Sequence, residues 1–253
     1  MGMLDGKVAL ITGAGTGIGK GIARMFAAEG AKVVIAARRE DRLRETCALA
    51  PRAISFVRMD LTSHEDRVRA LETAIERHGR LDILVSNAGA QLWKDFAETT
   101  DEEIEEIYHT NLTSTVRLIK QALPHLRASR GNIIIISSTA SRYIVSPSQK
   151  LSVYGASKAG LNQLGRTLAP ELGPMGIRIN VVAPGLTRGE YADEGLSHND
   201  AATQEWIRGV TPLGRIGEPE DIARVVTLMV SDMASWVTGQ VIDASGGWQI
   251  AAG

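Results

Sequence analysis

Four consecutive isoleucines, Ile133 to Ile136, stand between Asn132 and Ser137. A strand with one wet face alternates apolar and polar residues, so an unbroken β-branched run fits a strand covered on both faces, as in a parallel sheet flanked by helices. Shorter apolar runs recur along the chain. Lys7 to Ile11, Lys32 to Ala37, Ile54 to Met59, Asp82 to Ser86, Asn132 to Ser137 and Arg178 to Val182 read as strands. Helical segments are expected at 17–29, 39–50, 64–78, 101–127, 152–173 and 219–231. This alternation predicts an α/β fold, a doubly wound parallel sheet with helices on both faces, in a single domain spanning 1–253. The least regular part, 185–217, combines Gly, Pro and polar residues around a short helical piece and is where a substrate lid would sit.

Composition narrows the function. A chain of 253 residues with 44% hydrophobic side chains can bury a sizeable core. With 28 Lys and Arg against 29 Asp and Glu there is no global charge to attract nucleic acid or an anionic membrane. Cys47 is the only cysteine, which excludes an intrachain disulfide and favours a reducing compartment. The first residues carry no charged-then-apolar leader, no apolar run approaches membrane-spanning length, and a cytoplasmic protein is expected. His64, His78, His109, His125 and His198 show no metal-ligand spacing, so no metal is expected.

The first strand runs into Thr12-Gly13-Ala14-Gly15-Thr16-Gly17-Ile18-Gly19 and then a helix. Glycines in such a turn let the backbone approach a pyrophosphate, and the free N–H groups and dipole of the helix bind its charge. Gly13, Thr16, Gly17, Ile18 and Gly19 are therefore candidate dinucleotide-binding residues. In such folds an acid about 20 residues on holds the adenosine ribose, whereas an arginine suits a 2′-phosphate. Here the second strand ends Ala37-Arg38-Arg39, which favours NADP(H) over NAD(H); the alternative is that Glu40 or Asp41 serves the ribose.

Tyr154 and Lys158 are four apart in Ser152-Val153-Tyr154-Gly155-Ala156-Ser157-Lys158. On a helix they share one face, and an ammonium beside a phenol favours the phenolate, making Tyr154 a usable general acid or base. The alternative is a solvated lysine beside a half-buried tyrosine.

Thr12-Gly13-x3-Gly17-x-Gly19, Asn87-Ala88-Gly89 after the fourth strand, Ser138 after the fifth, Tyr154-x3-Lys158 and Pro184-Gly185 after the sixth together resemble the short-chain dehydrogenase/reductase family, its 3-oxoacyl-reductase-like and carbonyl-reductase-like members in particular. The resemblance covers almost the whole chain. It implies a Rossmann-type fold and hydride transfer between a nicotinamide and a ketone/secondary alcohol pair. It makes Tyr154 the acid/base, Lys158 the residue that lowers its pKa and binds the nicotinamide ribose, and Ser138 the donor to the substrate oxygen. Asn111 would hold a water in the proton relay; a surface helical asparagine or a glycosylation acceptor are its other readings. Asp60 and Leu61 would meet the adenine and Asn87, Ala88 and Gly89 the adenine ribose, though both segments also suit plain turns. Pro184, Gly185 and Thr187 would lie by the nicotinamide. The resemblance further implies a homo-oligomer, a tetramer, with 101–127 and 152–173 packed across subunits and the tail from Trp248 near a neighbour.

The chain departs from the family pattern in places. Ser138 to Tyr154 spans 16 positions, a few more than usual, so the loop 139–153 carries a short insertion and Ser141 becomes a rival to Ser138, which is preferred for its strand-end setting. Thr187 is the nearest candidate for the carboxamide contact, and Pro170 should kink the helix that carries Tyr154. Trp93, Tyr143, Ile144, Leu186, Tyr191 and Trp206 lie in loops that relatives place around the nicotinamide, where they would form an apolar pocket for a small-molecule ketone or alcohol; each could instead be core or interface. No arginine cluster marks a site for a phosphate or coenzyme A tail, although Arg142, Lys150, Arg188 and Arg208 could serve one, their loop positions being open at the level of sequence.

Overall fold

The computed structural model describes residues 2–143, 150–189 and 201–248. Its strands are β1 Val8–Thr12, β2 Lys32–Ala37, β3 Ile54–Arg58, β4 Ile83–Ser86, β5 Asn132–Ile136, β6 Arg178–Pro184 and β7 Val241–Ala244. They form one sheet in the order β3-β2-β1-β4-β5-β6-β7, every pair parallel. Helices α1 Gly17–Ala28, α2 Glu40–Ala48, α3 His64–His78, α4 Asp101–Tyr108, α5 Ser114–Ser129, α6 Ser152–Leu172, α7 Ala201–Val210 and α8 Pro219–Val230 connect or follow the strands.

The isoleucine run shows why the core has two halves. Ile134 and Ile136 point to one face, where Ile22 and Phe26 of α1 and Ile222, Val226 and Met229 of α8 cover the sheet. Ile133 and Ile135 point to the other, against Ala70 and Leu71 of α3, Leu118 and Ile119 of α5 and Leu161 of α6. Because side chains alternate across a strand, every position in β5 meets a helix, and no polar residue is tolerated inside the run. Leu10 of β1 has Val34 on one side and Leu84 on the other, and this register puts the C-terminal ends of β1 and β4 side by side where the strand order reverses. Ligands of open α/β sheets bind at that point.

Two local features differ from the sequence expectation. Strand β7 was not foreseen: it is four residues long, half exposed and interrupted by Asp243, so it lacks the apolar pattern of a buried strand. The expected helix 101–127 is divided by a π-helical stretch, His109–Thr113, between α4 and α5. Helix α6 runs through Pro170 to Leu172. Among the described residues no helix is long and apolar enough to cross a membrane.

Phe26 is the largest apolar side chain among the fully buried ones and sits between α1 and the sheet. Phe26→Ala should lower the unfolding free energy by roughly 3–5 kcal/mol, read from the midpoint of a denaturant titration at unchanged slope.

Candidate active site

The turn after β1 is shaped by its neighbour β4. Asn87 Nδ2 donates to the carbonyl oxygens of Thr12 (2.9 Å) and Gly13 (3.1 Å), and the backbone N–H groups of Asn87 and Ala88 both donate to Thr12 Oγ1 at 3.0 Å. These bonds leave no space for side chains. A Cβ on Gly13, whose φ is +67°, would lie 2.8 Å from Ala88 Cα, and one on Gly19 would lie 2.6 Å from Asn87 Nδ2. Gly17 has φ +52° with open space beyond it. The result is a bare backbone cradle at the start of α1 that fits a pyrophosphate. Gly13, Thr16, Gly17 and Ile18 line a cavity of about 1030 Å³; Gly19 lies behind its wall, where it lets α1 close on the turn.

At the next strand ends, Ala37, Arg38, Arg39, Asp60 and Leu61 line the same cavity. Asp60 accepts from Thr62 N (2.9 Å) and Oγ1 (2.7 Å), and these bonds, with the Arg38 charge as a smaller contribution, hold its carboxyl below the usual range. Two arginines escaped the sequence reading. Arg42, one turn into α2, also lines the cavity, and its Cβ would sit 3.0 Å from a Cβ on Gly15. Arg67 of α3 is only 1% exposed; it donates to the carbonyls of Leu61 (2.7 Å) and Thr62 (3.0 Å) and to Gln121 Oε1 (2.9 Å), which fixes the turn beneath Asp60. A surface-looking arginine in an acidic helix gives no sign of this role.

On α6, Tyr154 and Lys158 share a face and both line the cavity. Lys158 is 4% exposed, its Nζ donates to Ile136 O (3.2 Å) and lies 5.7 Å from the centroid of the Tyr154 ring. The solvated-lysine alternative is thereby removed. Burial pulls the ammonium down to about 8. Gly89 faces this group: a Cβ there would stand 3.2 Å from Lys158 Nζ and 3.0 Å from Asn111 Oδ1. Asn111 lies in the π-helical stretch, fully buried, and it is not on the cavity wall. Its Oδ1 accepts from Ala90 N (2.7 Å) and its Nδ2 donates to Ala90 O and Ser157 Oγ, both 3.0 Å.

Ser138 follows β5 and lines the cavity, while its Oγ accepts from Ala140 N at 3.2 Å. Ser141 is not among the lining residues; its hydroxyl donates to Ser138 O (2.5 Å) and accepts from Asn162 Nδ2 (2.6 Å). Pro184, Gly185, Leu186 and Thr187 complete this end of the cavity, with Thr187 Oγ1 donating to Gly185 O at 3.0 Å.

The outer wall is aromatic. Trp93, 56% exposed, Tyr143, Trp206 and Trp248 line it. Trp206 and Trp248 meet edge to face with centroids 5.4 Å apart, a favoured aromatic geometry. Trp248 is 6% exposed, so the start of the tail packs onto its own chain's α7, which the sequence reading had not placed there. Ile144, Tyr191 and His198 lie outside the described residues, as do the whole tail beyond Trp248 and part of the expected lid. The four cations considered for an anionic tail are each in an ion pair: Arg142 with Asp243 (3.0 Å), Lys150 with Asp95 (2.6 Å), Arg188 with Glu218 (2.8 Å) and Arg208 with Glu205 (3.1 Å).

A glycine cradle at the switch point of a parallel sheet, in one cavity with a Tyr/Lys pair, defines an α/β oxidoreductase that binds a nicotinamide dinucleotide. A family model described as enoyl-(acyl carrier protein) reductase matches residues 13–249. The chain is 34% identical over 248 residues to dehydrogenase/reductase SDR family member 4 of Sus scrofa, covering 96% of this chain and 88% of that protein. It is 37% identical over 250 residues to a hexahydroindene-carboxyl-CoA reductase of Mycobacterium tuberculosis, covering 96% and 94%. The solved structure of a 7α-hydroxysteroid dehydrogenase with NADH and 7-oxo glycochenodeoxycholic acid superposes with a TM-score of 0.90 at 33% identity, covering 97% of this chain and 95% of that one. The chain belongs to the short-chain dehydrogenase/reductase family and is an enzyme acting on a CH–OH/C=O pair.

Keeping an ammonium inside the protein costs stability that an apolar side chain would not. The folded pKa of about 8 lies below the unfolded value of 10.5, so between them the unfolded chain binds more protons and this lysine's penalty shrinks as pH rises. Lys158→Met should therefore stabilise the cofactor-free protein by roughly 1–3 kcal/mol at pH 7. Denaturation at a series of pH values should show that advantage narrowing from about 8 toward 10.5.

Proposed function

We propose that this protein is an NADP(H)-dependent reductase of bulky apolar ketones, acting reversibly on the corresponding secondary alcohols, with Tyr154 as its acid/base. The observation that carries this reading is the buried Lys158 ammonium 5.7 Å from the Tyr154 ring in the cavity that also holds the glycine cradle. When bound, the nicotinamide supplies the hydride in reduction and accepts it in oxidation. The chain's own residues handle the proton. The Tyr154 hydroxyl gives its proton to the carbonyl oxygen, and the Lys158 charge stabilises the phenolate left behind. Ser138 Oγ donates to the same oxygen, so charge developing there meets a fixed donor. Both Nδ2 protons of Asn111 go to Ala90 and Ser157 and its Oδ1 accepts from Ala90 N, which favours its backbone in the π-helical stretch as the holder of a water in the proton relay.

Ala37 in place of a carboxylate, with Arg38, Arg39 and Arg42 around it on the cavity wall, supports a 2′-phosphate and hence NADP(H). The NADH in the hydroxysteroid dehydrogenase structure favours NAD(H) as the second reading. The aromatic outer wall supports an apolar substrate, and the ion pairing of Arg142, Lys150, Arg188 and Arg208 gives no cation set aside for an anionic tail.

The test is oxidation of NADPH and of NADH, followed at the absorbance of the reduced nicotinamide, against acetophenone, 9,10-phenanthrenequinone, ethyl acetoacetate and an oxosteroid. Turnover is expected with NADPH and with the ring-bearing ketones first. Tyr154→Phe should abolish it while leaving NADPH binding by calorimetry intact; a Phe variant with normal kcat would remove Tyr154 from the chemistry. Arg38→Ala should cut kcat/KM for NADPH by about 10- to 100-fold, the worth of a charge-assisted phosphate contact, and leave that for NADH nearly unchanged. An equal loss with both cofactors would point to a structural role for Arg38 instead.

A further inference from the structure

The face of α6 that carries Tyr154 and Lys158 continues one turn to Asn162, which is 4% exposed and does not itself line the cavity. Its Nδ2 donates to Ser141 Oγ (2.6 Å), and Ser141 Oγ donates to Ser138 O (2.5 Å), a carbonyl that the Ser141 backbone N–H also reaches at 3.1 Å. The direction of these bonds is set by chemistry. A carbonyl can only accept, so the one hydroxyl proton of Ser141 goes to Ser138 O, and Asn162 must present its amide N–H to the Ser141 oxygen. Two more contacts seat the same turn on the same helix. Ser137 Oγ donates to Lys158 O at 3.1 Å, and Gly155 lets the Ala140 carbonyl come so close that a Cβ there would stand 2.7 Å from its oxygen.

We propose that Asn162 and Ser141 form a strut that sets the Ser138 hydroxyl in register with Tyr154, and that both are positioning residues for the proton-transfer step. This rests on the assignment of Ser138 as the donor to the substrate oxygen. The physical argument is one of shared reference. Ser138 belongs to the end of β5 and the turn Thr139–Ser141, whereas Tyr154 belongs to α6, and 16 positions of chain separate them. A hydrogen-bonded link from two turns beyond Tyr154 on its own helix ties the donor and the acid/base to one rigid element. An error of an ångström in such a pair is enough to slow a reaction about a hundredfold. Ser141 therefore acts through the backbone of Ser138 and not as its replacement.

The experiment compares Ser141→Ala, Ser141→Thr, Asn162→Leu and the Ser141→Ala/Asn162→Leu double variant with the parent enzyme, using saturating NADPH and the ketone of the panel above that turns over fastest. Each single variant except Ser141→Thr should lose about 10- to 100-fold in kcat, with NADPH affinity by calorimetry unchanged. The double variant should be no worse than the poorer single one, because both break the same link. Ser141→Thr, which keeps the hydroxyl, should retain most of the activity. A crystal structure of Ser141→Ala should show the Ser138 side chain turned to a second rotamer. If Asn162→Leu does not fold, Ser141→Ala, which removes one oxygen atom, gives the same readout. Parent-like kcat in folded Ser141→Ala, whatever its melting temperature, beside an inactive Ser138→Ala would overturn the strut alone. Full activity of Ser138→Ala would instead overturn the assignment on which the strut rests.

Discussion

Asn87 ties the turn after β1 to the end of β4, where the two halves of the sheet meet. Its amide spans the carbonyls of Thr12 and Gly13, while Thr12 returns a hydroxyl to the backbone N–H groups of Asn87 and Ala88. This closes the gap between β1 and β4 beyond the last ladder bonds and satisfies buried backbone groups that would otherwise be left unpaired at the strand ends. The glycine cradle follows from it. A turn pressed this closely against Ala88 and Asn87 accepts only residues without a Cβ at Gly13 and Gly19, and that bareness is what lets a phosphate approach the backbone.

The other half of the site is built from α6. Lys158 reaches the end of β5 through Ile136 O, Ser137 bonds back to Lys158 O, and Gly155 admits the following turn. The helix and the strand end thus form one unit, closed from the opposite side by Gly89 and Asn111. The π-helical stretch between α4 and α5 fits this picture, since it turns Asn111 inward to bond both backbone groups of Ala90. The unit holds a desolvated ammonium, which opposes folding, and the apolar burial on both sheet faces offsets that cost. Stability is thereby exchanged for a charge placed beside a phenol.

The outer wall follows a different logic. It is made of side chains from separate loops, the start of the C-terminal tail and α7, held by aromatic contact and exposed ion pairs worth little individually. The Tyr154 and Lys158 end of the cavity is fixed by buried hydrogen bonds to rigid elements, whereas the outer wall is fixed by weaker contacts. Such a wall can change between relatives without disturbing the chemistry beneath it.

Legibility in the sequence followed the range of the interaction. The strands, the glycine turn and the Tyr154–Lys158 face could be read from residues a few positions apart, because side-chain alternation, positive φ and the helical i, i+4 relation are local properties of the backbone. The doubly wound parallel sheet followed from the isoleucine run and the strand–helix alternation for the same reason. Strand β7 escaped because its half-exposed side chains show no period, and it exists only because β6 offers an edge. Arg42, Arg67, the Trp206–Trp248 contact and the part of Ser141 were decided by tertiary structure alone. Each depends on a partner from another element, and nothing in a residue's neighbours along the chain says whether a hydroxyl faces the cavity or the back of the serine beside it.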